Sequence, residues 1–208
     1  MKARRRSRLP VGTQKRLLEH FVAGTPARSA AELVGVNRNT ATLYYRKLRE
    51  IIAEQIAHDA PFSGEIEVDE SYFGGHRKGK RGRGAAGKVA VFGLLKRSGR
   101  VHAVMIPNAG HQTPMSLVYS DSWHAYDRLD VSGFHHERVD HSRYFTQGRN
   151  HINGIENFWS QTKRHLRRYN GIPRKDFHIF MAECEWRFNI RSPAKLVKIL
   201  TQWAKLPA

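Results

Sequence analysis

The chain has 208 residues, 40% of them apolar, enough to bury a core without disulfide or metal staples. Thirty-six Lys and Arg against eighteen Asp and Glu give a net charge of +18, which points to a polyanionic partner, above all nucleic acid. A single cysteine, Cys184, excludes an internal disulfide framework and any cysteine-only zinc site, and the basic start leads into no apolar run of signal-peptide or membrane length.

Residues 1–10 read as a basic arm able to follow a phosphate backbone. A helical pattern over 13–22 places Leu17, Leu18, Phe21 and Val22 on neighbouring turns, and Gly24, Thr25 and Pro26 break it. A second short helix is expected over 27–33, stopping at Gly35. Asn37 is a cap for a third helix, in which Ala41, Tyr44, Leu48, Ile51 and Ile52 recur at three- and four-residue spacing. Arg38, Asn39, Thr42, Arg46 and Arg49 fall towards its other side. Three helices with a Gly-containing turn before the last make residues 1–60 a helix-turn-helix module, the third helix being the recognition helix. A merely solvated basic surface is the plainer alternative. The mixture of short hydrogen-bonding residues with Arg is, however, what base edges and phosphates require.

Residues 58–64 read as a linker into a second domain, 61–208, where the period changes from helix to strand. Strands are expected at 66–69, 88–95, 101–106, 117–119 and 136–139, and helices at 152–168 and 177–188. Strands first and helices later predict a mixed α/β core. The segment 74–87 is rich in glycine and carries Arg77, Lys78, Lys80, Arg81 and Arg83 with no acidic residue. It lacks the Gly-Lys-Ser/Thr order of a P-loop and reads either as a hairpin that contacts DNA backbone or as a solvated loop. Cys184, inside an expected helix, reads as a buried small hydrophobe.

Three carboxylates stand where metal ligands belong: Asp69 and Asp121 at expected strand ends, and Glu156 on a helix. Magnesium prefers oxygen donors and keeps several waters, so three carboxylates suffice as protein ligands. On the helix, Ile152, Ile155, Trp159 and Leu166 form an apolar stripe beside a polar one of Asn153, Glu156, Ser160, Lys163 and Arg167. A carboxylate for metal and a lysine for phosphate two turns along is sensible nuclease chemistry. On their own such residues more often serve solubility. The histidines His135, His136, His141 and His151 lack the cysteine partners and spacing of a usual zinc site.

Three ordered motifs carry a resemblance. They are Val68-Asp69-Glu70-Ser71-Tyr72-Phe73-Gly74-Gly75, then Tyr119-Ser120-Asp121-Ser122-Trp123 with Tyr126, then His151-Ile152-Asn153-Gly154-Ile155-Glu156-Asn157-Phe158-Trp159 with Lys163. With Glu185-Trp186-Arg187-Phe188-Asn189, the chain from about 8 to 191 resembles the DDE transposases of small bacterial insertion sequences, of the ISXO-like group. The resemblance implies a ribonuclease H-like mixed sheet flanked by helices, in which Asp69, Asp121 and Glu156 bind two Mg2+ ions, with Mn2+ substituting. It further implies cleavage at transposon ends, strand transfer to target DNA, and Lys163 on phosphate. The expected partner is double-stranded DNA, both terminal inverted repeats and target. A homo-oligomer in the synaptic complex and a cytoplasmic, nucleoid-associated location without membrane are also expected.

Two departures from that family stand out. With one cysteine the chain cannot carry the N-terminal zinc ribbon of many relatives. Only residues 109–116 separate the third expected strand and its Pro107-Asn108 end from the fourth, short for a crossover between parallel strands. An internal deletion there is expected to impair catalysis while sparing DNA binding. A DNA-binding protein without catalysis and a nuclease without strand transfer are therefore the rival readings.

Overall fold

The computed structural model describes residues 7–57, 65–74, 89–96, 99–105, 117–121, 136–139, 153–169 and 171–207. Three helices open it: α1 Val11–Val22, α2 Ala27–Val34 and α3 Arg38–Ile56. The helical period of Leu17, Leu18, Phe21 and Val22 becomes the buried face of α1. Gly35 ends α2 in the left-handed region, at φ 76° and ψ 40°, and its N–H bonds back to the Ala31 and Glu32 carbonyls. Two residues later Asn37 accepts the Asn39 N–H at 2.8 Å and starts α3. The small residues Ala30, Ala31 and Ala41 are buried where α2 and α3 pack together. α1 starts two residues earlier than the periodicity suggested, because Pro10 provides a ready N-terminus before Val11.

Five strands form one mixed sheet in the order β3-β2-β1-β4-β5: β1 Glu65–Phe73, β2 Val89–Lys96, β3 Arg100–Met105, β4 Leu117–Asp121 and β5 His136–Val139. β1, β2 and β3 are antiparallel neighbours, whereas β1, β4 and β5 run parallel. A mixed sheet flanked by helices, preceded by a helix-turn-helix, is the expected ribonuclease H-like arrangement. Asp69 differs from expectation in one respect: it lies in the middle of β1. The strand continues past it because Ser71 and Phe73 pair with Val91 and Val89 and bury their side chains.

Three helices close the chain: α4 Asn153–Leu166, α5 Phe177–Ile190 and α6 Pro193–Trp203. α6 lies beyond the helices that periodicity predicts; Ser192 accepts the Lys195 N–H and Pro193 occupies its first turn. α5 is buried nearly all round, the mark of a helix packed on both sides. Trp186 joins the core of α1, α2, α3 and α6, while Phe177, Met181, Cys184 and Phe188 join the core beneath the sheet. Burial pushes the Cys184 thiol up, in keeping with a packed hydrophobe. Along the edge of β3, Asn189 accepts the Val101 N–H and donates to the Val101 carbonyl, and Glu185 accepts the Ala103 N–H. Two polar side chains of α5 thereby pair an edge strand that would otherwise offer open hydrogen-bonding groups.

A fully buried carboxylate joins the two cores. Glu183 of α5 accepts Arg49 Nε of α3 at 2.7 Å and Arg187 Nε at 2.8 Å, and His165 Nε2 of α4 lies 3.0 Å away. Burial alone would raise the Glu183 carboxyl. The Arg49 and Arg187 guanidinium groups and His165 outweigh it and hold the group well below the usual carboxylate range. Arg187 also donates to the Val22 and Phe21 carbonyls at the end of α1, and Arg168 to Gly24.

Removing this charge leaves the buried Arg49 guanidinium without its carboxylate and takes the same partner from the part-buried Arg187, so Glu183→Gln is expected to cost about 3–5 kcal/mol in urea unfolding at pH 7. A depressed native pKa contributes stability above the unfolded value near 4.5, lost as pH falls below it. The gap between native chain and variant should therefore be constant from pH 8 to about 5 and narrow in acid. A gap as wide at about pH 3 as at pH 7 would refute the assignment.

Candidate functional site

Asp69 is half-buried in β1, opposite Gly93 of β2 in the antiparallel register. On the other side of β1, the parallel partners are Glu65 with Leu117, Ile66 with Val118 and Glu67 with Tyr119, each pair 52 residues apart. Asp69 and Asp121 are also 52 residues apart. Continued along the strands, that register sets the two aspartates at one level on adjacent strands, about 4.8 Å from axis to axis. Asp121 is the last residue of β4, at the strand end where the sequence placed it. Its side chain lies outside the described residues.

α4 lies across the same level. Ile155 and Trp159 come down on β2 at Gly93, and Phe73 of β1 meets the Trp159 ring edge-on with centroids 5.9 Å apart. Ile155, Phe158, Trp159, Thr162 and Leu166 are buried. Glu156, Ser160, Lys163 and Arg167 are exposed along the polar stripe expected of them. Glu156 stands in the first turn and Lys163 in the last, each where the helix dipole favours its sign. The fold thus gathers the strand of Asp69, the end of the Asp121 strand and the first turn of the Glu156 helix at one level of the sheet. Hard oxygen donors of this kind suit Mg2+ or Mn2+. Among the described residues no three His, Cys, Asp or Glu side chains meet closely enough to hold an ion.

On α3, Arg38, Asn39 and Thr42 are exposed, Thr42 donating to the Arg38 carbonyl at 2.9 Å. Arg46 is half-exposed and held by two carboxylates, Glu50 at 2.9 Å and Asp176 through both terminal nitrogens at 2.8 and 3.0 Å. Its hydrogen bonds hold the Asp176 carboxyl below its ordinary value. Arg49, expected beside them, is only 5% exposed, bound to Glu183 with its guanidinium 4.0 Å from the Phe180 ring centre. Its place on the helix, beside Tyr45, Leu48 and Ile52, turns it inward, and the partner that makes this affordable comes from α5. Two residues went unremarked in the sequence: Leu43, 67% exposed among the polar residues of α3, and Gly93. An isolated glycine inside an apolar strand is itself a sign of close backbone approach.

Arg77, Lys78, Lys80, Arg81 and Arg83, the histidines His135, His141 and His151, and the short connection 109–116 lie outside the described residues. Among the described residues no helix is long and apolar enough to cross a membrane.

A family model described as the ISXO2-like transposase domain matches residues 61–189. A protein of Haemophilus influenzae described as an "uncharacterized transposase-like protein" is 43% identical over 116 residues, covering 51% of this chain and 94% of that protein.

The two stripes of α4 should respond differently to substitution. Glu156→Gln and Lys163→Ala, both at exposed positions, are expected to change unfolding free energy by less than about 0.5 kcal/mol. Ile155→Ala should cost about 2–5 kcal/mol. Thermal melts of the three variants separate a solvent-facing stripe from one used for packing, and a large loss in Glu156→Gln would contradict this division.

Proposed function

The chain belongs to the family of ISXO2-like transposases, and we propose that it binds the ends of its own element, cleaves them and joins them to target DNA. Membership alone makes it an enzyme of the DDE type that acts on DNA. The observation supporting the finer reading is the shared level of Asp69 and Asp121 on neighbouring parallel strands, with α4 laid across it.

In this reading Asp69, Asp121 and Glu156 hold two Mg2+ ions, for which Mn2+ substitutes. When bound, such ions activate the attacking hydroxyl and stabilise the leaving oxygen of an in-line displacement. The chain's own part is to place and to ground the reactants. Asp69 and Asp121 are fixed by a hydrogen-bonded ladder, and Glu156 by a helix whose opposite face is buried. Lys163, two turns beyond Glu156, meets phosphate of the same strand, and Arg167 extends that contact by one turn. Water opens the phosphodiester at each end and leaves a 3′-hydroxyl, which then attacks target DNA. No protein side chain is esterified.

Residues 1–60 supply the grip and 61–208 the chemistry. Arg38, Asn39 and Thr42 face base edges in the major groove, while the basic segment containing Arg77, Lys78, Lys80, Arg81 and Arg83 follows phosphates. Two ends and a target require more than one copy in the synaptic complex, and the setting is the cytoplasmic nucleoid.

The short segment between β3 and β4 favours a second reading, in which DNA binding outlasts catalysis. Against it, β4 keeps its parallel place beside β1. The path from β3 past β2 and β1 covers about 14 Å sideways and, since Met105 is level with Ser71 and Leu117 with Glu65, about 20 Å back along the strands, roughly 25 Å in a straight line. Residues 106–116, extended, reach about 36 Å. A helix is not needed to close that distance.

The deciding experiment incubates the full chain with a pre-nicked end substrate, target DNA and Mn2+. Strand transfer abolished by Asp69→Asn and by Glu156→Gln supports transposition. Binding without transfer, restored when a family-length crossover replaces 109–116, supports the second reading. In the same preparations Arg38→Ala should weaken binding to end DNA about 10-fold or more relative to unrelated DNA, since a good base contact discriminates by about 1–3 kcal/mol. Equal loss on both DNAs would remove Arg38 from the base-reading set.

A further inference from the structure

β2 is an apolar strand with Val91, Leu94 and Leu95 buried, yet it carries glycine at position 93. The backbone there is not in the left-handed region, since among the described residues the glycines with positive φ are Gly24, Gly35, Gly74, Gly99 and Gly171. Conformation does not call for glycine. Space does. A Cβ at this position would lie 2.5 Å from Trp159 Cζ2 and 2.8 Å from Ile155 Cδ1. Carbon atoms in contact sit about 3.5–4.0 Å apart, so a methyl group requires α4 or its side chains to withdraw by roughly 1 Å.

The position of this notch gives it meaning. Gly93 is the cross-strand partner of Asp69, and Asp69 is level with Asp121. Ile155, which enters the notch, is followed directly by Glu156. We propose that Gly93 is a positioning residue for the metal site. Its missing side chain sets the height of α4 above the sheet and so the reach of Glu156 towards the ions held with Asp69 and Asp121. The proposal rests on the metal-site reading given above. Ordinary close packing would make Gly93→Ala destabilising wherever the notch lay. Positioning makes it weaken metal binding as well.

The experiment titrates Mn2+ alone into the full chain by calorimetry. Gly93→Ala is expected to weaken Mn2+ binding about 10-fold or more, the scale at which misplaced supporting residues act on metal ligands. End cleavage should fall on the order of 100-fold, the cost of about 1 Å of misplacement. Binding to end DNA in chelator should be unchanged, because α3 is untouched. Adding Ile155→Val and Trp159→Phe to Gly93→Ala removes the atoms that the new methyl strikes and should recover most of the Mn2+ affinity. Phe21→Leu, in the other core, should lower the melting temperature without moving the Mn2+ midpoint. A Gly93→Ala chain that binds Mn2+ as tightly as the native one, or loses no more than Phe21→Leu, overturns the proposal. Should Gly93→Ala alone fail to fold, the relieved triple variant decides: native-like Mn2+ affinity supports positioning, and affinity as poor as that of Asp69→Asn overturns it. Mn2+ binding that survives Asp69→Asn removes the metal-site reading itself, a result distinct from loss in Asp69→Asn but not in Gly93→Ala.

Discussion

Glu183 is the constraint on which the arrangement of helices depends. A carboxylate with no solvent exposure is tolerable only when its charge is met, and two guanidinium groups and an imidazole meet it from three directions. Those groups come from α3, from the next turn of α5 and from α4. Each helix is therefore held at a hydrogen-bonding distance that hydrophobic packing alone would leave loose. Because α5 sends Trp186 into one core and Phe188 into the other, the same helix also carries the apolar contacts that exclude water from the cluster.

Much of the architecture was legible from the chain alone, because local physics decides it. Periodicity located α1 to α5 and all five strands. Asn37 and Gly35 marked the start of one helix and the end of another through hydrogen bonds confined to a few residues. What local pattern could not show was where partners distant in sequence would come from. Arg49 looked like an outward cation until Glu183, 134 residues on, supplied the compensating charge. Asp69 reads as the end of a strand, but Ser71 pairs with Val91 across the ladder and is buried, so the strand continues. The register that levels Asp69 with Asp121 is a property of two strands together. Their equal separation in sequence and in pairing becomes visible only when both are seen.

The cluster around Glu183 also bears on how grip and chemistry are joined. α3 presents Arg38, Asn39 and Thr42 at its first turns and Arg49 further along, while α4 presents Glu156 at its start and His165 near its end. The second half of α3 and the last turn of α4 meet at a single carboxylate. A rigid link between them fixes the direction in which the outward end of α3 points relative to the outward end of α4. On the proposed reading, this link sets the recognition helix at a fixed angle to the helix that carries Glu156.

The charge balance of the chain takes on a different meaning once its arginines are placed. Arg49 and Arg187 neutralise Glu183, Arg187 and Arg168 cap carbonyls at the end of α1, and Arg46 is shared between Glu50 and Asp176. The planar fork of arginine suits all of these tasks, since one side chain can bridge a carboxylate and a carbonyl, or two carboxylates, at once. Net charge by itself pointed correctly to a polyanion, but it did not distinguish cations that hold the fold from cations that face solvent. That distinction follows helix geometry: on α4 the exposed Lys163, Arg164 and Arg167 lie opposite the face buried on the sheet. Their positive surface runs along the same stripe as Glu156, and on the proposed reading a phosphate chain drawn to it is led towards the level of Asp69 and Asp121. On that reading, substrate attraction and ligand placement are two consequences of one helix being amphipathic.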